Sequence, residues 1–178
     1  MNDGRRPRER LLLPGTEPPW QSGSTAMFST CTRYRYLLTR RWAPGGTSVL
    51  FLMLNPSTAD ATLDDPTIRR CLCFARSWGH SSLVVANIFA WRSTDPRALG
   101  GSSDPIGPEN DSVILAAARE ASVTICAWGK RGALHGRAAE VITTLRAHGI
   151  DLRALKLNGD GSPVHPLYQP ASAVLVPF

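Results

Sequence analysis

Short apolar runs alternate with stretches of helical periodicity along most of the chain after residue 33. Between the runs, TIRRCLCFARSWG, DSVILAAAREA and RAAEVITTLRAHG repeat apolar residues at the spacing of amphipathic helices. Alternating strands and helices predict a three-layer α/β/α sandwich with a short, mostly parallel central sheet. Four runs predict strands. TSVLFLML from Thr47 is continuously apolar, SSLVVANIFAW from Ser81 and SVTICAWG from Ser122 indicate two more buried strands, and LRALKLN from Leu152 is a fourth strand.

One more strand is predicted before these four. RYRYLLTRRW, which begins at Arg33, alternates in part and carries several arginines, a pattern that favours an antiparallel edge strand. APGG follows it, and the first apolar run comes next. We therefore predict a β-hairpin whose first strand lies at the edge of the sheet and whose second strand is central.

Local signals mark the ends of the helices. Asp64-Asp65-Pro66 supplies an N-cap and a first-turn proline for the first helix, and Gly79 and Gly149 end the first and last helices. Between the second strand and the second helix lies STDPRALGGSSDPIGPEND. A Gly, Pro and Asp-rich loop of this length inside a compact domain usually has a function.

Composition limits the class of protein. The chain has 178 residues, which suits one domain, and we predict a flexible, basic and proline-rich leader over residues 1–26 and a single domain over 27–178. No apolar run approaches the roughly 20 residues of a membrane span, so we expect a soluble cytoplasmic protein, a monomer by default. The net charge of +6 is compatible with nucleic acid but does not require it.

The four cysteines do not form a metal-binding pattern. Cys71 and Cys73 lie two apart in a predicted helix and point to different faces, and no CxxC pair occurs. We expect reduced, mostly buried thiols, no metal and no cofactor.

Polar groups accumulate where the predicted parallel strands end. In open α/β sheets, ligands bind beyond the carboxyl ends of the strands. We therefore predict one site at this edge, formed by four segments: Asn55 after the first parallel strand, Asn87 and Arg92 at the second, Trp128-Gly129-Lys130 after the third and the loop of His165 after the fourth.

The chemistry of these groups suggests roles for them, each with a simpler alternative. Asn55 before Pro56 favours a turn, but its amide can also orient a water. Asn87 interrupts an apolar strand, and its paired donor and acceptor match the edge of a nucleobase. Asp60 is either a base or a cap, and His165 is either a surface residue or a donor to an anionic leaving group. Arg92, Lys130 and Arg131 are either solvated charges or phosphate contacts.

Several strings along the chain resemble those of a bacterial and phage family, domain of unknown function 1643. They are LNPSTADA, DDPTIRRC, NIFAWRSTDP, DPIGPEND, AWG and G.P.HPLY, and they occur in order over about residues 32 to 170. This resemblance implies a family without implying a chemistry.

A looser resemblance, in motif order, is to the uracil-DNA glycosylase superfamily, an α/β/α fold with a short parallel sheet. MLNPS is similar to the water-orienting G-I/L-N-P-G motif of its mismatch-specific members, LVVAN to the strand that ends in the base-pairing asparagine, ICAWG to LLWG, and HPLY to the closing HPS loop. The resemblance implies that Asn55 holds the water, Asn87 reads a flipped base and His165 lies at the leaving base. Leu54, Ser57 and Leu167 depart from these motifs.

Together these observations predict a DNA glycosylase-like hydrolase that cleaves the N-glycosidic bond of a damaged or modified base, with DNA as its partner, either single-stranded or with a flipped base. Two alternatives use the same fold: a non-catalytic module that binds a nucleobase, a nucleotide or single-stranded DNA, and a hydrolase of free nucleosides or nucleotides. The predicted catalytic residues are Asn55, Asp60 and His165. The predicted substrate-binding residues are Pro56, Ser57, Asn87, Phe89, Arg92, Trp128 and Lys130.

Overall fold

The computed structural model describes residues 23–178, which form a seven-stranded sheet with helices on both faces. The strands are β1 (Thr25–Phe28), β2 (Arg35–Arg41), β3 (Ser48–Met53), β4 (Ser82–Asn87), β5 (Val123–Cys126), β6 (Leu152–Ala154) and β7 (Val176–Pro177). The helices are α1 (Pro66–Ser77), α2 (Asn110–Glu120) and α3 (Arg137–Ala147). Short 3-10 turns occupy Pro96–Gly101, Lys130–Gly136 and Pro166–Tyr168.

The strand order is β1-β2-β4-β3-β5-β6-β7. The four central strands β4, β3, β5 and β6 are parallel to one another, and β1, β2 and β7 are antiparallel to their neighbours. The fold class is therefore mixed α/β with a largely parallel central sheet, as the alternation of runs predicted.

The predicted hairpin is wrong, although β3 is central as expected. Strand β4 lies between β2 and β3 and pairs with both, so β2 and β3 are not neighbours. Nor is β2 an edge strand, because β1 covers its other side. Of the predicted leader, residues 1–22 lie outside the described part of the chain, while Thr25 and Ala26 belong to β1.

Helix α1 begins where the sequence predicted. The Asp65 side chain accepts a hydrogen bond from the Ile68 backbone N–H at 2.8 Å, and Pro66 occupies the first turn. The chain leaves the helix through Gly79, whose φ of +80° few other residues adopt at low cost. The cap fixes the start of α1 at the end of the loop that follows β3.

Two apolar clusters hold the layers together. Helix α1 packs on one face of the sheet through residues such as Ile68 and Phe74, together with Ala59 and Val164. Helices α2 and α3 pack on the opposite face. The α1 face is the one on which the candidate site lies.

Strand β2 is irregular near its start. Met27 pairs with Leu37 but Phe28 pairs with Arg35, so Tyr36 is an extra residue in the ladder. Tyr36 and Leu37 both pack on the α2/α3 face, whereas Leu38 packs on the α1 face. Arg35, on the far side of the bulge, is thereby directed to the α1 face, where it contacts Ala59.

Candidate functional site

Asn55 links the loops that follow β3 and β4. Its Nδ2 donates to the backbone oxygen of Ser93 at 2.8 Å and to that of Pro56 at 3.2 Å, and the Ser93 N–H donates back to the Pro56 oxygen. Among the described residues nothing donates to Asn55 Oδ1. The amide is therefore held by its nitrogen, and its oxygen remains available to accept a hydrogen bond from a water or ligand.

Asn87, the last residue of β4, lies on the α1 face and is only 2% exposed. Its Oδ1 accepts a hydrogen bond from Nη2 of Arg35 at 3.2 Å. Arg35 is itself 3% exposed, and its Nη1 donates to the Ala59 backbone oxygen at 2.7 Å. Burial lowers the pKa of Arg35 to about 10, so the guanidinium still carries its charge at neutral pH.

Buried side chains from α2 and α3 fix the backbone just after β4. Asn110 Nδ2 donates to the backbone oxygens of Asn87 and Ile88, and Arg137 Nε donates to the Ile88 oxygen at 2.8 Å. Arg137 is buried and is paired with Asp111. These bonds satisfy carbonyl groups that the end of the strand leaves without ladder partners, and they hold Asn87 in place.

Asp60 is engaged in its own turn. Its Oδ1 accepts from the Thr62 N–H, the Thr62 hydroxyl and the Leu63 N–H. The backbone bonds from Thr62 and Leu63, with the Thr62 hydroxyl, lower the pKa of Asp60. A carboxylate stabilised in this way is a cap and a weak base.

Arg40 supports the same turn from β2. Its Nη2 donates to the Asp60 backbone oxygen at 2.5 Å, and its Nε pairs with Asp64 at 2.8 Å. Arg35 and Arg40 of β2 therefore both contact the loop between β3 and α1.

His165 precedes the last 3-10 turn, which packs against α1. Burial lowers the pKa of its imidazole, and the opposing influence of Asp65 is smaller. Nδ1 accepts a hydrogen bond from the Leu167 N–H at 3.4 Å, so in the neutral ring Nε2 carries the hydrogen. His165 thus presents a neutral N–H donor.

Asp65 connects these groups electrostatically. Its charge acts on both Arg35 and His165, raising the pKa of each against the larger effect of burial. Asn87 contacts Arg35, and Arg35 contacts Ala59, four residues after Asn55. The loop after β3, the end of β4, the start of α1 and the His165 loop therefore meet on the α1 side of the sheet edge.

Two predicted binding residues lie elsewhere. Phe89 is fully buried in the cluster on the α2/α3 face. Trp128 is 3% exposed in the same cluster, where it meets the Phe178 ring edge-on at 5.6 Å and lies against Gly132. Both side chains belong to the core on the face opposite Asn87.

The remaining predicted residues lie around the rim. Pro56 is buried and its oxygen accepts from Asn55 and Ser93, while Ser57 is partly exposed beside it. Arg92 is exposed, donates to the Thr32 oxygen and lies 4.8 Å over the Phe28 ring. The Lys130 side chain is 71% exposed, 3.9 Å from Asp160.

Sequence reasoning missed Arg35. The arginines of RYRYLLTRRW indicated side chains exposed to solvent on an edge strand, whereas the side chains of Arg35 and Arg40 are buried. The available signal was Asn87: a buried amide needs a partner, and an arginine in a neighbouring strand can supply one.

A cavity of about 290 Å³ opens at the other edge of the sheet, where the parallel strands begin. Hydroxyl groups there bond within the protein: Ser122 Oγ donates to the Ser48 oxygen at 2.7 Å, and Thr47 Oγ1 meets His80 Nδ1 at 2.8 Å. The groups singled out by the sequence lie at the opposite edge.

The thiols divide into two exposed and two buried groups. Cys71 and Cys126 are buried, whereas Cys31 and Cys73 are exposed, so the expectation of mostly buried thiols holds for only half of them. Within residues 23–178 no three His, Cys, Asp or Glu side chains converge as metal ligands would. No helix in this part of the chain has the length and apolar character needed to cross a bilayer.

The fold and the site define an α/β protein with polar groups gathered at the carboxyl ends of its parallel strands. Residues 35–167 match the model of a family described as protein of unknown function, DUF1643. The chain belongs to this family. No curated protein and no solved structure matches it.

Proposed function

We propose that the protein is a DNA glycosylase-like hydrolase, which cleaves the N-glycosidic bond of a damaged or modified base. The observation that carries this proposal is the neutral His165 imidazole, whose Nε2–H is a donor on the side of the sheet edge where Asn55 offers a free oxygen. Departure of a base as an anion needs a donor on one side, and attack by water needs an acceptor on the other.

Asn55 and His165 have separate roles in this reaction. The bond from the sugar carbon to the base nitrogen breaks as its electron pair moves to the base, and the sugar becomes cation-like. Asn55 Oδ1 orients the water that attacks this carbon, and His165 Nε2–H stabilises the charge on the base. The water gives up a proton, which an amide cannot hold, so the proton passes to solvent or to the released base.

The weak basicity of Asp60 sets an expectation for the rate. Because its carboxylate is held by Thr62 and Leu63, Asp60 is a poor proton acceptor. We therefore expect slow turnover, or a base that leaves readily.

The parallel strands and the position of the site at their carboxyl ends support the resemblance to the uracil-DNA glycosylase superfamily. DNA as the partner is supported by the exposed cations of the rim, Arg92, Lys130 and Arg131. The Tyr168 ring is 79% exposed and its centroid lies 5.9 Å from that of His165, a suitable position for stacking on a base.

The test is incubation with oligonucleotides that carry a panel of modified bases, followed by assays of abasic sites and released base. We expect cleavage of at least one probe, and a loss of about a hundredfold in rate for Asn55→Ala and for His165→Gln. His148→Gln, at an exposed histidine after α3, is the matched control and should leave the rate unchanged. The rate should also fall as pH drops below the lowered pKa of His165, because protonation removes the acceptor that holds the ring.

A second candidate, a non-catalytic module that binds nucleobases or single strands, is favoured by the engagement of Asp60. This function would be favoured if the protein binds nucleobases or single strands without releasing any base and if the Asn87→Ala variant loses that binding. Hydrolysis of free nucleosides with no action on oligonucleotides would contradict both and favour a nucleoside hydrolase.

A further inference from the structure

The segment of residues 165–175 has few hydrogen bonds to the rest of the protein. Just before it, the Val164 N–H donates to the Lys156 oxygen at 2.9 Å, and just after it β7 pairs with β6. Within the segment, backbone N–H groups donate only to residues two or three positions away. Among the described residues, one hydrogen bond ties this segment to another element: Nη2 of Arg70, in α1, donates to the backbone oxygen of Gln169.

The Arg70 guanidinium has a fixed direction. Its Cζ lies 4.9 Å from the centroid of the Phe74 ring, one turn further along α1, and Phe74 is buried in the core. The Arg70 Nε is sealed from solvent and has no partner among the described residues. Because the planar group is stacked on a buried ring, its Nη2 is directed at the Gln169 oxygen, and a charged donor makes this a strong bond.

The turn that Arg70 holds is the one that orients the His165 ring. The Gln169 N–H donates to the Pro166 oxygen at 3.1 Å, and Pro166 is buried where this turn packs against α1. The Leu167 N–H donates to His165 Nδ1 at 3.4 Å. This second bond is close to the length at which a hydrogen bond is lost, so a small movement of the turn away from α1 would break it.

We propose that Arg70 is a positioning residue for His165: it fixes the turn of residues 165–169 against α1 and so holds the imidazole as an Nε2–H donor. The inference rests on the proposed function for the use of that donor. The positioning itself is measured in the protein alone, without any substrate. Loss of the Arg70 donor should therefore change His165 and leave the other histidines as they are.

Two substitutions at Arg70 separate its hydrogen bond from its charge. Arg70→Met keeps a long apolar side chain on the Phe74 ring and removes the donor and the charge. Arg70→Lys keeps the charge but replaces the planar fork by a point donor on a different stem, so we expect it to lie between the parent protein and Arg70→Met.

Arg76 provides a matched control on the same helix. Its Cζ lies 5.1 Å from the centroid of the Trp42 ring, and its exposed side chain makes no hydrogen bond to the described residues. Arg76→Met therefore removes the same charge from the face of an aromatic ring without affecting the turn of residues 165–169.

Nuclear magnetic resonance of the full chain, labelled with ¹⁵N, measures the pKa of each histidine and the exchange rate of the Leu167 amide. In Arg70→Met we expect the pKa of His165 to rise toward its ordinary value, because the lowering by burial is larger than the opposing effect of Asp65 and both weaken together. The Leu167 amide should exchange severalfold faster. The pKa of the exposed His148 should not change, and Arg76→Met should match the parent protein in every measurement.

Kinetics distinguish positioning from a contact with DNA. On an oligonucleotide that the parent protein cleaves, Arg70→Met should lower kcat about tenfold with KM little changed, because a displaced His165 acts less well on the departing base. A phosphate contact predicts the opposite pattern, a raised KM with kcat unchanged, and that pattern would contradict the inference.

The inference is overturned if Arg70→Met folds and leaves the pKa of His165 and the Leu167 amide as in the parent, or if Arg76→Met shifts them equally. Equal changes in all histidines would also overturn it, since a purely structural role predicts them. If Arg70→Met does not fold, Arg70→Lys decides: a change confined to His165 supports the inference, and a parent-like His165 contradicts it. Failure of the proposed function is separate, because His165 then responds as expected while the parent protein releases no base from any oligonucleotide.

Discussion

Cys31 and the two buried thiols occupy opposite chemical environments. Hydrogen bonds from Ser29 and Arg33 lower the pKa of the exposed Cys31 to about 7, and burial raises the pKa of Cys71 and Cys126. The thiolate is the nucleophile, so its fraction and its accessibility decide the rate of reaction. The same residue type is therefore reactive at one site and inert at two others.

We predict that iodoacetamide at pH 7 modifies Cys31 severalfold faster than an unperturbed thiol, because about half of it is thiolate at that pH. Cys71 and Cys126 should react only after unfolding. Peptide mapping by mass spectrometry across pH 6 to 9 measures both. The Ser29→Ala variant should slow the modification of Cys31, because it removes the largest contribution to the lowered pKa of this thiol. Equal labelling of all four cysteines in the folded protein would contradict this prediction.

Single residues also show how much of the candidate site could be predicted from the sequence. Asn55, Asn87 and His165 could be proposed as site residues because an amide at a strand end and a His-Pro step stand out from their surroundings, and their roles stay predictions. Arg35 could not be proposed in this way, because an arginine in an alternating strand indicates a solvent-exposed side chain unless the neighbouring strand is known. Trp128 and Phe89 were assigned to the site by position along the chain, but side-chain direction depends on which face of the sheet each residue occupies.

At the scale of elements, sequence periodicity predicted the three α-helices and the four parallel strands found within residues 23–178. Periodicity did not predict the strand pairing. Adjacency in the sequence favoured a hairpin of β2 and β3, but β4 lies between these two strands and hydrogen-bonds to both. The short strands β1 and β7 carry too few residues for a period to be recognised.

The 3-10 turn after β5 depends on close packing of a glycine. A Cβ at Gly132 would lie 2.1 Å from the Trp128 ring, so Gly132→Ala should destabilise the protein by about 1 to 3 kcal/mol through overpacking. Gly100→Ala, with open space at its Cβ, is the control and should change stability by less than about 0.5 kcal/mol.

Chemical denaturation measures both free energies of unfolding, and near-UV circular dichroism reports the environment of Trp128. Equal stabilities for the two glycine variants would show that the turn is not held against the Trp128 ring in solution.

At the scale of the whole molecule, the two edges of the parallel sheet differ. The edge at the carboxyl ends carries the candidate site and the exposed cations Lys130 and Arg131. The opposite edge carries the cavity and Glu120, and the exposed arginines in the last turns of the helices, Arg76, Arg119 and Arg146. With a net charge of +6, long-range attraction to a polyanion is expected at low salt. Both edges carry cations, so the salt dependence of variants at each edge identifies the one that meets the partner.

We predict that affinity for single-stranded oligonucleotides falls with salt, and that Lys130→Ala combined with Arg131→Ala reduces the slope of log K against log salt by about 1.4, the value for two lost phosphate contacts. Arg119→Ala, on the last turn of α2, removes a charge from the opposite edge and should leave the slope unchanged. Anisotropy titrations between 50 and 300 mM salt measure the slopes. The same reduction in both proteins would place the nucleic acid away from the site.

The bulge in β2 has a consequence for how this protein can vary between relatives. Leu37 lies on the α2/α3 face and Arg35 on the α1 face, so removing Tyr36 would restore the regular alternation of the strand. Arg35 would stay on the α1 face opposite Phe28, and the guanidinium would keep its contact with Asn87. Whether an arginine stands opposite Phe28, rather than the length of the chain at this point, distinguishes a relative that keeps the arrangement from one that has lost it.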